Sequence, residues 1–185
     1  MENKRIDRRT IKTRTAINKA FLELFYKKDL ELITINEIAD LADLNRATIY
    51  LHYNDKYDLL DKLIEGHLNK LISFCDTDGQ TPLRSEFLLI FEYIAEQFLF
   101  FSAMLNTSRA TVFRSRLMKF IFDNMKSKLE DGGSDTWIDN ELRAQFIASA
   151  FIGMLEWWVQ HQMPHPPEYM AEQLCRLFEK NEVYA

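Results

Sequence analysis

The chain reads as all-α: an N-terminal three-helix head carrying a helix-turn-helix, joined by a long helix to a helical C-terminal domain. Three observations predict this. Apolar residues recur at helical spacing along most of the 185 residues, with no convincing strand alternation. Two short amphipathic segments lie back to back between Thr34 and Lys56, separated by a tight turn. Apolar residue types make up 47% of the chain, enough for a real core, yet no apolar run approaches the ~20 residues of a membrane span.

The elements follow in order. A first helix runs from about Thr10 to Lys28, with Ile17, Phe21, Leu24 and Phe25 on one face. Thr34 and Glu37 have the T-x-x-E spacing of a capping box, which opens a helix carrying Ile35, Ile38, Ala39 and Ala42. The chain must turn at Asp43-Leu44. Asn45 is a good N-cap for the next helix, expected over Arg46 to Tyr53. A fourth helix starts near Asp55, with Leu60, Leu63, Ile64, His67, Leu68 and Leu71 at helical spacing. The expected domains are therefore 1–54 and 55–185. Asp76 to Pro82 is a linker, and Leu83 to about Leu105 a single very apolar helix, interrupted at Asn106-Thr107-Ser108. Arg109 to Leu129 is the next helix, stopped by Asp131-Gly132-Gly133-Ser134. Asp139 to about Gln162 follows, stopped by Met163 to Pro167, and Glu168 to about Lys180 is the last.

The second short helix has the chemistry of a DNA reader. Its N-terminal end enters the major groove in helix-turn-helix proteins. Arg46 can fork onto guanine, while Ala47 or Thr48 can touch a thymine methyl. Tyr50, His52 and Lys56 are placed for phosphates, which fix register without carrying sequence information. Residues 1–20 hold seven basic groups against two acidic ones, although the whole chain carries −5. Residues 76–185 hold ten basic and sixteen acidic groups. A basic arm on an acidic body fits engagement of DNA at one end. Taken alone, such an arm reads first as a solvated tail; beside the helix-turn-helix pattern it reads as part of the DNA-binding end.

Here the segment from about Thr10 to Ile72 resembles the N-terminal domain of TetR/AcrR-family transcriptional regulators. The resemblance is carried by Ile38-Ala39, then Thr48, Tyr50, His52 and Tyr53, then Lys56 and Leu59-Leu60. Two positions depart from the family pattern: Asp43 stands where glycine is usual, and Asn45 where serine is usual. Asp tolerates left-handed backbone better than most residues, so the turn survives. The residues expected at DNA are Thr34, Asn45, Arg46, Ala47, Thr48, Tyr50, Leu51, His52 and Lys56. The resemblance implies a homodimer on a palindromic operator, usually a repressor released by an effector, with a four-helix interface built from the last two helices.

Ala148, Ala150 and Gly153 would permit close approach there. Phe151, Met154, Leu155, Trp158, Leu174, Leu177 and Phe178 would supply apolar area, or else simply fill the core. The C-terminal pattern, a Gly-x-x-x-Trp-Trp helix before a proline break, looks like a Firmicutes-type subgroup. A pocket for a small apolar or aromatic effector is expected among Phe87, Phe91, Phe98, Phe101 and Met104, together with Phe113, Leu117, Phe120, Ile121 and Met125. The plainer reading of that wall is a packed core. Glu92, Glu96, Arg114 and Arg116 are possible polar contacts, or ordinary surface charge.

Enzyme readings lack support. His161 and His165 have a metal-compatible spacing, but Pro164 breaks the helix between them. No glycine-rich phosphate loop or framed nucleophile appears, and no cofactor is expected. Cys75 and Cys175 are expected as free thiols of a cytoplasmic protein, a disulfide being the alternative. The start of the chain is polar and basic rather than a secretory signal. From a different class, a helical co-regulator that binds a partner protein, with little DNA affinity of its own, also fits.

Overall fold

The computed structural model describes residues 8–75, 81–105, 111–131 and 139–180. Contacts divide the chain into two compact units, Met1–His67 and Leu68–Ala185, so the division falls inside the fourth helix rather than at its start.

In the first unit, α1 (Arg8–Lys27) is followed by a single 3-10 turn at Leu30–Leu32, then α2 (Ile35–Ala42) and α3 (Arg46–Tyr50), and the unit ends within α4 (Lys56–Ile72). Its core draws on every helix: Ile17, Phe21 and Phe25 from α1, Ile38 from α2, Ile49 from α3, and Leu59 and Ile64 from α4 are all buried. Phe21 and Phe25 stack at 5.7 Å. α2 ends as its composition requires. Asp43 adopts φ 54°, ψ 47°, the left-handed conformation. The Leu44 amide donates to the Ala39 carbonyl at 2.9 Å, and the Asp43 amide to Asp40 at 3.3 Å. This pair of bonds is a Schellman turn with aspartate in the glycine place. α3 is shorter than the expected Arg46 to Tyr53. The His52 and Tyr53 amides both return to the Ile49 carbonyl, at 2.9 Å each, which tightens the last turn and ends the helix.

The second unit contains α5 (Leu83–Glu96), α6 (Phe98–Leu105), α7 (Thr111–Asp131), α8 (Asn140–Gln160) and α9 (Pro167–Lys180). α7 packs on α8, α5 on α9, and α6 against α8. The expected single helix from Leu83 to Leu105 is two helices bent by 88° at Gln97. The cause is burial on all sides. A straight amphipathic helix buries one stripe, whereas Phe100 to Leu105 are all buried. Turning α6 inward satisfies them. Gln97 closes α5 by donating its amide to Tyr93, and its carbonyl accepts from the Phe100 and Phe101 amides at 3.0 and 3.2 Å.

The core of this unit is aromatic. Phe91 meets Trp158 edge to face at 5.2 Å, and Phe87 stacks on Phe151 at 6.0 Å. Phe100, Phe101 and Phe113 form a mutually edge-on trio. The fully buried Trp158 donates its indole N–H to the His165 carbonyl at 2.9 Å, so one side chain fills the core and ties the entry of α9 to the end of α8. Between them Gln162 and Met163 take positive φ, and the Met163 amide returns to the Trp158 carbonyl at 2.8 Å. Glu86 and Lys128 form an ion pair at 2.8 Å in which the carboxylate is almost fully buried. Cys75 and Cys175 are free thiols, and burial, with Glu86 nearby, pushes the Cys75 thiol up to about 11. No single described helix is long and apolar enough to cross a membrane.

Trp158→Ala removes both the aromatic filling and the indole bond. It should cost about 3–5 kcal/mol in chemical denaturation. A loss below about 1 kcal/mol would mean that the site collapses without strain.

Candidate nucleic-acid interface

The helix-turn-helix is assembled by caps and a buried inner face. At the start of α2 the Thr34 hydroxyl accepts from the Glu37 amide at 3.3 Å, while Glu37 accepts from the Thr34 amide at 3.0 Å. Lys28 adds an ion pair to the same carboxylate at 2.5 Å. The Lys28 ammonium and the Thr34 donors hold the Glu37 carboxyl down at about 2. Thr34, expected at DNA, therefore spends its hydroxyl on the cap. Asn45 caps α3, its side-chain oxygen accepting from the Ala47 amide at 2.8 Å.

Rotation of α3 about its axis is fixed from behind. Ile49 is wholly buried, and the buried Tyr53 donates its hydroxyl to Asn18 on α1 at 2.8 Å. Arg46, Ala47, Tyr50 and Leu51 are consequently exposed on the outer side, with Thr48 and His52 half-buried at its edges. Arg46 and Tyr50 are coupled. The guanidinium donates to the Tyr50 hydroxyl at 3.0 Å and lies 5.4 Å from the ring centroid. Arg46 is thereby held along the helix instead of sweeping freely, and an arginine so held loses less freedom on binding. Burial, with the nearby positive charge of Arg14, lowers the His52 pKa, so its imidazole is neutral at pH 7 and can offer one N–H.

Lys56 has a structural role that its place in the sequence does not show. Its ammonium donates to the carbonyls of Glu31 (2.8 Å) and Ile33 (3.0 Å). It therefore staples the start of α4 to the 3-10 turn that precedes α2. These carbonyls are freed by the end of the 3-10 turn and offer a cation site that periodicity does not reveal. Lys62 plays a similar part unnoticed in the sequence. It pairs with Asp58 at 2.8 Å and donates to the His52 carbonyl at 3.3 Å. Asn18 and Lys28 were also missed, since their roles depend on partners far along the chain.

The other expected sites come apart in the second unit. A cavity of about 30 Å³ is lined by Phe87, Leu117, Phe120, Ile121 and Met125 of the expected wall, and also by Leu71, Cys75, Glu86, Asn124 and Phe151. Phe91, Phe98, Phe101, Met104 and Phe113 do not line it. Phe91 is engaged by Trp158, and Phe101 and Phe113 pack on each other with Phe100, so the α6 bend has made them core. Arg114 pairs with Glu156 on the surface at 2.7 Å, and Arg116 is exposed, so neither faces the cavity.

Of the residues expected at a dimer interface, Phe151, Leu155, Trp158, Leu174 and Phe178 are buried within the single chain. Phe151, Trp158 and Phe178 pack on Phe87 and Phe91 of α5. Met154 is half-buried and Leu177 exposed. The outward faces carry Leu142, Phe146, Gly153 and Trp157 on α8, and Tyr169 with the expected Leu177 on α9. Their spacing is helical, so each set forms one stripe. Rings join the two stripes, Trp157 to His165 at 6.2 Å and His165 to Tyr169 at 4.5 Å.

Lys56→Met keeps the length of the side chain and removes the donors. It should destabilise the protein by about 0.5–1.5 kcal/mol, mainly through the part-buried Ile33 carbonyl, since the exposed Glu31 carbonyl turns to water. Denaturation monitored in the head tests this; an unchanged midpoint would return Lys56 to a phosphate role alone.

Comparison with known proteins agrees with this geometry. Residues 17–63 match the family model of bacterial regulatory proteins of the tetR family, and residues 83–180 match a transcriptional regulator C-terminal region of the same group. The uncharacterized HTH-type transcriptional regulator YxbF of Bacillus subtilis is 28% identical over 96% of this chain and 47% of its own length. The dhaKLM operon activator DhaS of Lactococcus lactis is 27% identical over 51% of this chain and 49% of its own length. The chain thus spans about half the length of these curated relatives. Among solved structures, NalD, secondary repressor of the MexAB-OprM efflux pump in Pseudomonas aeruginosa, superposes with a TM-score of 0.65 at 18% identity. The match covers 94% of this chain and 97% of NalD. With a helix-turn-helix head, an all-α body and both family models in register, the chain belongs to the TetR family of bacterial transcriptional regulators.

Proposed function

We propose that this regulator binds a palindromic operator as a homodimer, each head laying the outer face of α3 in the major groove. The observation that carries this reading is the two-sided character of α3, with Ile49 and Tyr53 locked inside and Arg46, Ala47, Tyr50 and Leu51 presented outside. Arg46 reads a guanine edge, Tyr50 and His52 hold phosphates, and the basic residues of α1 add sequence-independent attraction. A protein acting on the chromosome of a bacterium works in the cytoplasm.

The α8 and α9 stripes supply the dimer interface. Exposed apolar side chains as large as Phe146 and Trp157, 55% and 43% exposed, are otherwise a liability. Gly153 supports this choice of face, since a Cβ there would meet nothing within 4 Å in its own chain. Its missing side chain leaves room for a close approach from outside.

Repression is the reading by default, although DhaS is by name an activator and NalD a repressor. Release by an effector would require a ligand that binds one head spacing better than the other. The size of the cavity favours a second reading of the control step. At about 30 Å³ it holds roughly one water, whereas a dry cavity that takes benzene is ~150 Å³. Control by a partner protein needs no such cavity.

Selection from a randomised duplex pool at physiological salt tests the DNA reading and should enrich an inverted repeat. On that operator, Arg46→Ala should lose about 1–3 kcal/mol and relax one base position per half-site. Unselective, salt-sensitive binding with no enriched sequence would favour the partner-protein role. Gly153→Arg should leave the monomer folded while raising the dimer dissociation constant in sedimentation. An unchanged dimer would move the interface off α8.

A further inference from the structure

Leu51 is 81% exposed, the most exposed of the large apolar side chains among the described residues. It stands at the end of α3 with helical backbone angles, φ −69° and ψ −20°, and its amide donates to the Ala47 carbonyl at 3.3 Å. Its side chain therefore leaves on the same face as the exposed Ala47, one turn earlier. Beside this pair runs the coupled pair Arg46 and Tyr50. The outer side of α3 thus presents two columns, one polar and one apolar.

The apolar column is the unexplained one. Leucine has neither donor nor acceptor, so it can bond neither a phosphate oxygen nor the polar edge of a base. In the major groove the apolar group a base pair offers is the C5-methyl of thymine. We propose that Leu51, with Ala47 behind it, reads a thymine methyl group and makes thymine a required base in each half-site. This rests on the reading of α3 as the DNA-reading helix. Leu51 then sets specificity beside Arg46: the guanidinium selects by hydrogen bonds, the leucine by excluding water from a methyl.

The experiment uses the full chain and the operator selected by the wild-type protein. Each thymine of one half-site is replaced in turn by deoxyuridine, which removes the methyl and leaves every hydrogen-bonding group in place. One replacement should weaken wild-type binding about fourfold, the equivalent of one methyl-sized group returned to water. Leu51→Ala should bind the unmodified operator more weakly by at least that factor and be indifferent to the same replacement. It should also keep the wild-type melting temperature, because the side chain is exposed. The proposal is overturned if Leu51→Ala binds like the wild type, if it weakens binding yet stays sensitive to every deoxyuridine, or if it lowers the melting temperature. Failure of the underlying reading shows separately. In that case the wild type selects no operator at all, or Arg46→Ala alters neither affinity nor base preference, and the role of Leu51 falls with it.

Discussion

A five-residue helix has no stability of its own, because nucleation fixes several residues for few hydrogen bonds. α3 exists because Ile49 and Tyr53 are buried behind it and Asn45 closes its first turn. That one constraint decides the rest of the head. It sets which side chains face outward, and it makes α1 part of the reading apparatus through the bond from Tyr53 to Asn18. It also explains the supporting bonds that surround α3. The Schellman turn at Asp43 aims it, Lys56 fixes the segment before α2, and Lys62 holds the carbonyl of His52 just past its end.

Much of this was legible in the sequence, for a definite reason. Capping boxes, N-caps and left-handed turns are local, so Thr34, Glu37, Asn45 and Asp43 declare themselves by residue type and spacing. The order of the helices follows from periodicity and the proline and glycine breaks. What stayed hidden depends on distant partners. The staple made by Lys56 is hidden because nothing near it in sequence shows that the carbonyls of Glu31 and Ile33 converge on it. The 88° bend at Gln97 was missed for a similar reason. A run apolar on all sides looks the same whether straight or folded back, and only the packing of α6 on α8 decides.

That bend decides much of the packing of the second unit. By carrying Phe100, Phe101 and Met104 into the core, α6 fills space that the aromatic wall had been expected to leave open. The cavity lined by Leu117 and Ile121 lies beside Glu86, which is paired with Lys128. Phe151 and Trp158 face inward from α8 against Phe87 and Phe91 of α5, which leaves Phe146, Gly153 and Trp157 on its outward face.

On the proposed reading two such heads meet DNA together, each with the outer face of α3. Hydroxyl-radical footprinting of the full chain on its selected duplex should then show two protected patches, symmetric about a central point and separated by one helical turn or a multiple of it. A single unsymmetrical patch, or uniform weak protection along the duplex, would contradict it.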